Sequence, residues 1–226
     1  MVKQQPYRTI KRITDVLGSA ALLGISAPAF VVISIMIKKE SDGPIFFVHE
    51  RVGLNGKPVR IYKFRSMRTG SEDLEAELND EDLEKYYQEF KLKNDPRITE
   101  TGHKLRRISA DELPQLINVI QGNMSLVGPR PVTVEELKFY SEDEKAKLLS
   151  VKPGITGYWQ VNARNDATYQ SGKRQQMELY YVENRSLLMD LGILLKTPVA
   201  VIRKRGASGS NERAAAPSAT ILSRRR

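Results

Sequence analysis

The chain has 226 residues, a formal net charge of +9 at neutral pH, two histidines and no cysteine. The lack of cysteine excludes thiol nucleophiles, disulfides and cysteine-based zinc sites, and two histidines make a histidine-rich metal centre or a Ser-His-Asp triad a strained interpretation. Neither a GxxxxGKS/T loop nor a GxGxxG loop occurs, so both standard phosphate-binding loops are excluded.

The first predicted element is a membrane helix in the uncharged run Val16–Ile37, which spans roughly 33 Å as a straight helix. Pro28 near its middle removes a backbone hydrogen bond and kinks the helix, and Ser26 can bond where that ladder is broken. Basic residues flank the run on both sides: Lys3, Arg8, Lys11, Arg12, Lys38 and Lys39. The positive-inside rule therefore gives no direction. We predict a re-entrant helix over residues 1–40, with a single-span anchor as the alternative.

A β-hairpin is predicted where Asn55-Gly56 separates Ile45–Val48 from Pro58–Phe64, because both turn residues tolerate positive φ. The second arm carries Lys63. The acidic stretch Ser71–Asn94 that follows has apolar residues at helical spacing. It predicts a solvated amphipathic helix that packs by one face, rather than a metal site.

The most informative feature is the acidic pair Asp111-Glu112, at the predicted start of an amphipathic helix. A carboxylate at a helix N-terminus stays ionised because the unpaired amides favour its charged form, which suits a nucleophile or a metal ligand. It suits a plain cap equally well. Ser109 and Glu112 have capping-box spacing, and Pro114 loses no helical bond if Asp111 is the N-cap. The sequence around the acidic pair therefore does not distinguish a functional carboxylate from a helix cap.

The second half of the chain begins with the rigid segment Gly128–Pro131, which presents Arg130, and continues with a charged helix over about 134–149. Lys152–Gly157 predicts a Pro-Gly turn and Tyr158–Val161 a strand. The apolar but interrupted segment Leu187–Ile202 predicts a helix in the headgroup region, with a packed core helix as the alternative. Residues 207–226 are expected to be a tail without a functional role or of cloning origin.

Several motifs in order carry a family resemblance: PIFFVHERVGLNGKPVRIYKFRSM, NDPRIT, LRRISADELPQLINVIQGNMSLVGPRP, KPGITGYWQV and YYVENRSLLMDLGILLKT. Over about residues 8–205 the chain resembles the bacterial sugar transferase family, the monotopic polyprenyl-phosphate phosphoglycosyl transferases, in its minimal catalytic form. The expected fold is α+β. A small, mostly helical cytoplasmic domain with a β-hairpin occupies residues 41–206, and the re-entrant helix and interfacial amphipathic helices anchor it.

The resemblance implies transfer of a phospho-sugar from a nucleotide diphosphate sugar to polyprenol (undecaprenyl) phosphate, with release of the nucleoside monophosphate, to start a capsule, exopolysaccharide or other glycan. It assigns the nucleophile to Asp111, which forms an acyl-phosphate, and the Mg²⁺ ligand to Glu112. The phosphate- and nucleotide-binding cations are then Arg130, Arg106 and Lys63. Family prevalence favours a UDP-sugar as donor, and family precedent allows a homodimer. The expected location is the cytoplasmic face of the bacterial inner membrane.

One position departs from the family pattern. Members often have Ser-Pro at the helix break, whereas this chain has Ala27-Pro28 with Ser26 one place earlier. The proline still predicts the kink, and Ser26 takes the place of the family's serine as the residue that can bond where the helix is broken.

Three alternatives stay open. KPGITG with Tyr158 and Trp159 is positioned to contact the nucleotide, since a base stacks on an aromatic face, and a core or interfacial Trp is the competing interpretation. The chain is alternatively a membrane-bound binding protein in which Asp111-Glu112 is a cap, or a transferase with a direct ternary-complex mechanism in which Asp111 binds metal. A nucleic-acid partner is not expected, because no recognised motif is present.

Overall fold

The computed structural model describes residues 4–90, 92, 94–163 and 167–213 of the chain. It is a mixture of helix and strand in which helix predominates, as expected for the α+β class. The helices are α1 (Gln4–Glu40), α2 (Leu74–Glu77), α3 (Asp80–Glu89), α4 (Glu100–Arg107), α5 (Gln115–Gln121), α6 (Glu142–Leu148), α7 (Tyr158–Asn162), α8 (Lys173–Asn184) and α9 (Leu187–Arg213). The strands are β1 (Phe46–Val52), β2 (Pro58–Phe64), β3 (Ser125–Val127) and β4 (Gly154–Thr156).

The predicted hairpin is confirmed. β1 and β2 pair antiparallel from Phe46 opposite Phe64 to Val52 opposite Pro58. Asn55 and Gly56 both have positive φ, at 56° and 77°, within a short 3-10 turn. The first arm is longer than predicted.

A second, two-stranded sheet was not predicted from the sequence. β3 and β4 pair in parallel, and β4 lies inside the segment predicted to be a turn. Each strand has three residues, which is too short for a hydrophobic period to appear.

The strand predicted at Tyr158–Val161 is wrong, because these residues form helix α7. The amides of Val161 and Ala163 donate to the carbonyls of Gly157 and Trp159, which closes helical turns. This conformation buries Trp159 beside Ala163 and Ala167. A segment of four residues, three of them apolar, is too short to distinguish a strand from a buried helical turn, so the sequence pattern did not decide the conformation here.

Two predicted helices are interrupted. The acidic stretch forms α2 and then α3, which begins where the Asn79 side chain accepts the amide of Asp82. The segment predicted as a helix over 134–149 forms a 3-10 turn at Glu136–Phe139 and then α6. A capping box between Ser141 and Glu144 starts α6, and this local cap divides the segment.

The main core joins α5, α8 and α9 to strands of both sheets. Val119 and Met124 are fully buried, and Ile61 and Tyr181 are 1% exposed. A second core holds the end of α1 against the hairpin and α4, where Ile37 packs with other apolar residues: Ile33, Phe64, Leu105 and Ala110. These cores fix α4 and α5 against β2, and the acidic pair lies between those two helices.

Helix α1 is long and apolar enough to cross a membrane, and only 11% of its most apolar window is buried. The helix continues through Pro28, and the Ser26 hydroxyl donates to the Leu22 carbonyl at 2.7 Å. Both ends contact the same globular body. Arg12 donates to the Val119 carbonyl at 2.6 Å, and Glu40 accepts the Thr101 amide at 3.0 Å. The predicted kink and the re-entrant course stay predictions.

Helix α9 packs one face against the core, as in the core-helix alternative, and its position in the headgroup region stays a prediction. Asp190 and Ile193 are buried against the core, whereas Leu188 and Leu195 are 83% and 70% exposed. The helix continues past Gly206 to Arg213, so the predicted tail begins inside it. Residues 214–226 of that tail lie outside the described residues.

Candidate active site

Asp111 and Glu112 lie in a 3-10 turn, Ala110–Glu112, between α4 and α5. Ser109 precedes them with a φ of 56° and makes no side-chain capping bond. Its amide donates to the Arg106 carbonyl and its carbonyl accepts the Glu112 amide, so the backbone of Ser109 links α4 to the 3-10 turn while its hydroxyl caps neither. The capping box predicted for Ser109 and Glu112 is therefore wrong. Asp111 is buried, and the Glu112 side chain is 15% exposed.

Two cations meet at Glu112. Lys63 Nζ on β2 lies 3.1 Å from Glu112 Oε1, and Arg130 Nη1 lies 3.7 Å from the same oxygen. The fully buried Asn118 of α5 holds the strand that carries Lys63 in place. Its side chain accepts the amide of Tyr62 at 3.0 Å and donates to the Arg60 carbonyl at 2.7 Å, which ties α5 to the strand that carries Lys63.

Arg130 is presented by the loop after β3, and glycines allow the backbone there to approach β4 closely. A Cβ on Gly154 would lie 2.1 Å from the Gly128 nitrogen, so a side chain is excluded. The Arg130 amide donates to both carboxylate oxygens of the buried Glu178, at 3.2 and 3.3 Å. Burial lowers the pKa of the Arg130 guanidinium, but Glu112 and other carboxylates outweigh it, so the net pKa is raised. Arg130 therefore stays charged beside Glu112.

Arg106 lies in the last turn of α4, and its Nε donates to the Ser66 hydroxyl at 2.9 Å. Burial lowers the pKa of Arg106, and attraction to Asp111 and other carboxylates opposes that effect. The guanidinium still keeps its proton at neutral pH, as arginine does in proteins. The structure thus brings together all five side chains predicted for the site: Asp111, Glu112, Arg130, Arg106 and Lys63. Ser26 and Pro28 lie in the apolar helix α1.

Glu112, Lys63 and Arg130 line a cleft in the surface of the protein. Sequence reasoning missed three further polar residues that line the same cleft: His49, Arg51 and Gln115. Arg51 Nη1 lies 2.5 Å from Glu136 Oε2, and its Nη2 donates to His49 Nδ1 at 3.2 Å. Burial, and then the charges of Arg51 and Lys63, lower the pKa of His49 to about 4, so its ring is neutral at pH 7.

The register of the predicted hairpin could have shown from the sequence that Arg51 lies near Lys63. A turn centred on Asn55 pairs Arg51 with Val59 and Phe47 with Lys63, which places Arg51 and Lys63 on one face of the hairpin. Glu136 and Glu178 offered no comparable signal, because their partners are distant in sequence.

Tyr158 and Trp159, the aromatic pair after KPGITG, both pack against other side chains of the protein. Trp159 is 6% exposed, its Nε1 donates to the Ala167 carbonyl, and the Arg174 guanidinium lies 4.3 Å from the ring centroid. Tyr158 packs against Tyr180. These contacts favour the core interpretation for Trp159. The KPGITG segment itself contributes Gly154 and Ile155 to the cleft lining.

Among the described residues that line the cleft, Glu112 is the one carboxylate, and Lys63 and Arg130 lie beside it. Among the residues that the structure describes, no group of three or more His, Asp or Glu side chains is placed to hold a metal ion. Mg²⁺ is commonly bound through one or two carboxylates, water and substrate phosphates. Glu112 offers one such carboxylate, and Lys63 and Arg130 beside it would bind the phosphate that completes the coordination of a Mg²⁺.

Comparison with known proteins decides the family. The family model described as bacterial sugar transferase matches residues 6–204. The chain belongs to the bacterial sugar transferase family. The match includes the whole hairpin, the acidic pair and the loop that carries Arg130.

Three relatives of this sugar transferase chain illustrate the match. Undecaprenyl-phosphate galactose phosphotransferase of Salmonella typhimurium is 43% identical over 203 residues, 88% of this chain and 42% of that protein. Exopolysaccharide production protein ExoY of Rhizobium meliloti is 42% identical over 200 residues, 87% of each protein. UDP-glucose:undecaprenyl-phosphate glucose-1-phosphate transferase of Escherichia coli is 37% identical over 195 residues, 84% of this chain and 39% of that protein. The chain therefore spans about two fifths of the length of the Salmonella and Escherichia relatives.

Proposed function

We propose that this chain transfers a phospho-sugar from a UDP-sugar to undecaprenyl phosphate through a covalent intermediate on Asp111, and releases UMP. The observation that carries the proposal is the buried Asp111 next to Glu112, with Glu112 in contact with Lys63 and Arg130. The names of the Salmonella and Escherichia relatives support undecaprenyl phosphate as acceptor and a galactose or glucose phosphate as the transferred group.

The chemistry asks for a nucleophile that approaches a phosphorus surrounded by negative oxygens, so catalysis is mostly charge neutralisation and positioning. An Asp111 oxygen attacks the phosphorus that bears the sugar. The new Asp–O–P bond forms as the bond from that phosphorus to the bridging oxygen breaks, and UMP leaves with the electron pair. A phosphate oxygen of the acceptor then attacks the same phosphorus, which gives the polyprenyl diphosphate sugar and restores the carboxylate.

The residues around Asp111 have different proposed roles in charge neutralisation and phosphate binding. Arg106 is attracted to Asp111 and would balance the negative charge that a phosphate brings next to this carboxylate. Arg130 offers a planar fork that binds two phosphate oxygens, and Lys63 offers a compact charge. Glu112 is the residue that would hold Mg²⁺. When bound, that ion neutralises charge on the diphosphate and polarises its oxygens.

The membrane surface is proposed from the exposed apolar faces of α1 and α9. Ile25 and Leu188 are 78% and 83% exposed, and these faces suit lipid rather than water. Since both ends of α1 contact one globular body, a course that enters and leaves the cytoplasmic leaflet of the inner membrane accounts for them. The active site would then sit at headgroup level, where a polyprenol phosphate and a soluble nucleotide sugar can both reach Asp111.

The decisive experiment uses detergent-purified protein with Mg²⁺ and a panel of UDP-sugars, without lipid acceptor. We expect a stoichiometric burst of UMP, and a phospho-hexose mass on the Asp111 peptide by mass spectrometry. The Asp111→Asn variant should lose both signals. The exposed Asp143→Asn variant on α6 is the matched control and should keep both.

Other outcomes separate the alternatives. Turnover that requires polyprenol phosphate, without any adduct or UMP burst, would mean a direct ternary-complex transferase. Retention of full activity by Asp111→Asn would refute a chemical role for this carboxylate. The absence of turnover with every donor, with acceptor present, would favour a membrane-bound binding protein.

A further inference from the structure

The hairpin presents a polar face that extends beyond Lys63. Its register places Phe47, His49 and Arg51 on the same face as Val59, Ile61 and Lys63. Four of these residues line the cleft that contains Glu112: His49, Arg51, Ile61 and Lys63. Arg51 therefore faces the same space as Lys63 and Arg130.

Arg51 is held rigidly at this face. Its guanidinium contacts Glu136 Oε2 at 2.5 Å and His49 Nδ1 at 3.2 Å, and the side chain is 14% exposed. Glu136 is itself fixed, because its Oε2 accepts the amide of Thr133 at 2.8 Å and the residue is 4% exposed. Burial alone would raise the pKa of Glu136, but Arg51, Arg174 and Arg130 outweigh it and hold the pKa below its usual value. The ion pair is thus fully charged.

The charges around this part of the cleft do not balance. Three carboxylates, Asp111, Glu112 and Glu136, lie near five cationic side chains: Arg51, Lys63, Arg106, Arg130 and Arg174. A fourth carboxylate, Glu178, is partly protonated at neutral pH because burial raises its pKa to about 7. An excess of positive charge in a partly desolvated cleft favours a polyanion. A diphosphate supplies the compensating charge.

We propose that Arg51 binds the diphosphate of the nucleotide-sugar donor and that Glu136 is its positioning residue. This inference rests on the proposed function, since it names a further contact to the same donor. Arg51 and Arg130 approach the cleft from the hairpin and from the loop after β3, so their two planar forks can clamp a diphosphate from two sides. Lys63 lines the same cleft and adds a compact charge.

A purely structural role for the Arg51–Glu136 pair is the competing explanation. The segment that carries Glu136 is already joined to β1 by the Val52 amide, which donates to the Val132 carbonyl at 2.8 Å. A buried ion pair is also an inefficient way to stabilise a fold, because the desolvation of both charges offsets their attraction. Its position in the cleft is accounted for by ligand binding.

The test is calorimetric titration of UDP into the detergent-purified chain with Mg²⁺. We expect Arg51→Gln to weaken UDP binding by about 10- to 100-fold, the effect of losing a charge-assisted contact. Arg51→Lys keeps the charge without the fork and should fall between this variant and the unsubstituted protein. Arg60→Gln is the matched control, because Arg60 is exposed on the opposite face of the same hairpin and should leave the affinity unchanged.

A double-mutant cycle separates positioning from stability. Glu136→Gln should weaken UDP binding less than Arg51→Gln, and should have no further effect when Arg51 is already Gln. Thermal unfolding of each variant reports stability independently. If both variants lower the melting temperature while the folded protein binds UDP normally, the pair is structural and the inference is overturned.

Further measurements distinguish a failure of the Arg51 inference from a failure of the proposed transferase function. UDP binding unchanged in Arg51→Gln, with an Asp111 adduct still formed, overturns the inference and leaves the transferase proposal standing. Failure of the unsubstituted protein to bind UDP or to turn over any UDP-sugar overturns both. A titration with a short-chain polyprenyl phosphate tests the other phosphate source. Loss of that binding alone, with UDP affinity retained, would assign Arg51 to the acceptor and overturn the donor assignment.

Discussion

Lys63 Nζ and Glu112 Oε1 are 3.1 Å apart although the two residues are separated by 49 positions in the chain. The contact joins the hairpin, which supplies basic residues, to the turn that supplies the acidic pair. A Mg²⁺ bound by Glu112 and a phosphate bound by Lys63 would therefore be neighbours. The ion pair therefore connects the proposed Mg²⁺ ligand to a proposed phosphate-binding residue.

Replacing Lys63 tests that coupling. We expect Lys63→Gln to lower kcat/KM by about 10²- to 10³-fold, the usual effect of removing one donor aimed at developing charge. Stability should change less than activity, because Arg130 still lies beside Glu112 after the substitution and compensates its charge. Steady-state UMP release checks the first expectation and thermal unfolding the second. The exposed Lys57→Gln in the hairpin turn is the control, and equal kcat/KM for the two variants would contradict the role of Lys63.

Removal of Mg²⁺ provides a second test of the same region. We expect EDTA to abolish UMP release and added Mg²⁺ to restore it, because the donor diphosphate needs a counter-charge in the cleft. Glu112→Gln should raise the Mg²⁺ concentration needed for half-maximal rate. An unchanged Mg²⁺ dependence in this variant would show that Glu112 does not hold the ion.

The Asn118 side chain supports the site through the fold. Asn118→Ala leaves the partly buried amide of Tyr62 and the carbonyl of Arg60 without their Asn118 partners. We expect a loss of about 2–4 kcal/mol in the free energy of unfolding, and a lower kcat because α5 is no longer tied to β2. Urea unfolding measures the loss. The exposed Asn123→Ala should stay within about 0.5 kcal/mol of the unsubstituted protein, and a similar small effect at Asn118 would contradict this account.

The local parts of the fold and site were readable from the sequence. Asn55-Gly56 specifies the hairpin because both residues take positive φ, and the family motifs select the five site residues. The short parallel sheet and helix α7 were not readable, since three to five residues show no period. Glu136 and Glu178 were missed for another reason. Their roles depend on partners such as Arg51 and Arg130, which only the tertiary fold brings within contact distance.

Glu178 makes stability depend on pH. Burial raises its pKa from 4.5 to about 7, although Arg174, Arg130 and the Arg130 amide favour the ionised form and Glu136 opposes it. Between about pH 4.5 and pH 7 the folded protein therefore binds more protons than the unfolded chain. Stability contributed by the neutral carboxyl is fully present below pH 4.5 and is lost as the pH rises through 7.

The Glu178→Gln variant removes this titration and can still accept the Arg130 amide. We expect the two proteins to have similar stability at pH 5, and the variant to be more stable at pH 8 by about 3 kcal/mol at most. Thermal unfolding in detergent across this range measures the difference. The exposed Glu183→Gln on the same helix should show no such trend, and parallel pH profiles for Glu178→Gln and the unsubstituted protein would contradict the prediction.

Pro28 tests the course of the membrane helix. Pro28→Ala restores the missing backbone donor and should shift part of the population toward a true span, with the N-terminus outside. The shift should be incomplete, because a span must break the bonds from Arg12 to the carbonyls of Val119 and Ile120. Since the chain has no cysteine, a single Gln5→Cys reports the N-terminus by labelling in sealed cells. Pro6→Ala in the first helical turn, where proline costs little, is the matched control. Full protection from external reagent in Pro28→Ala would refute a role for the proline, and external labelling without any substitution at Pro28 would refute the re-entrant course itself.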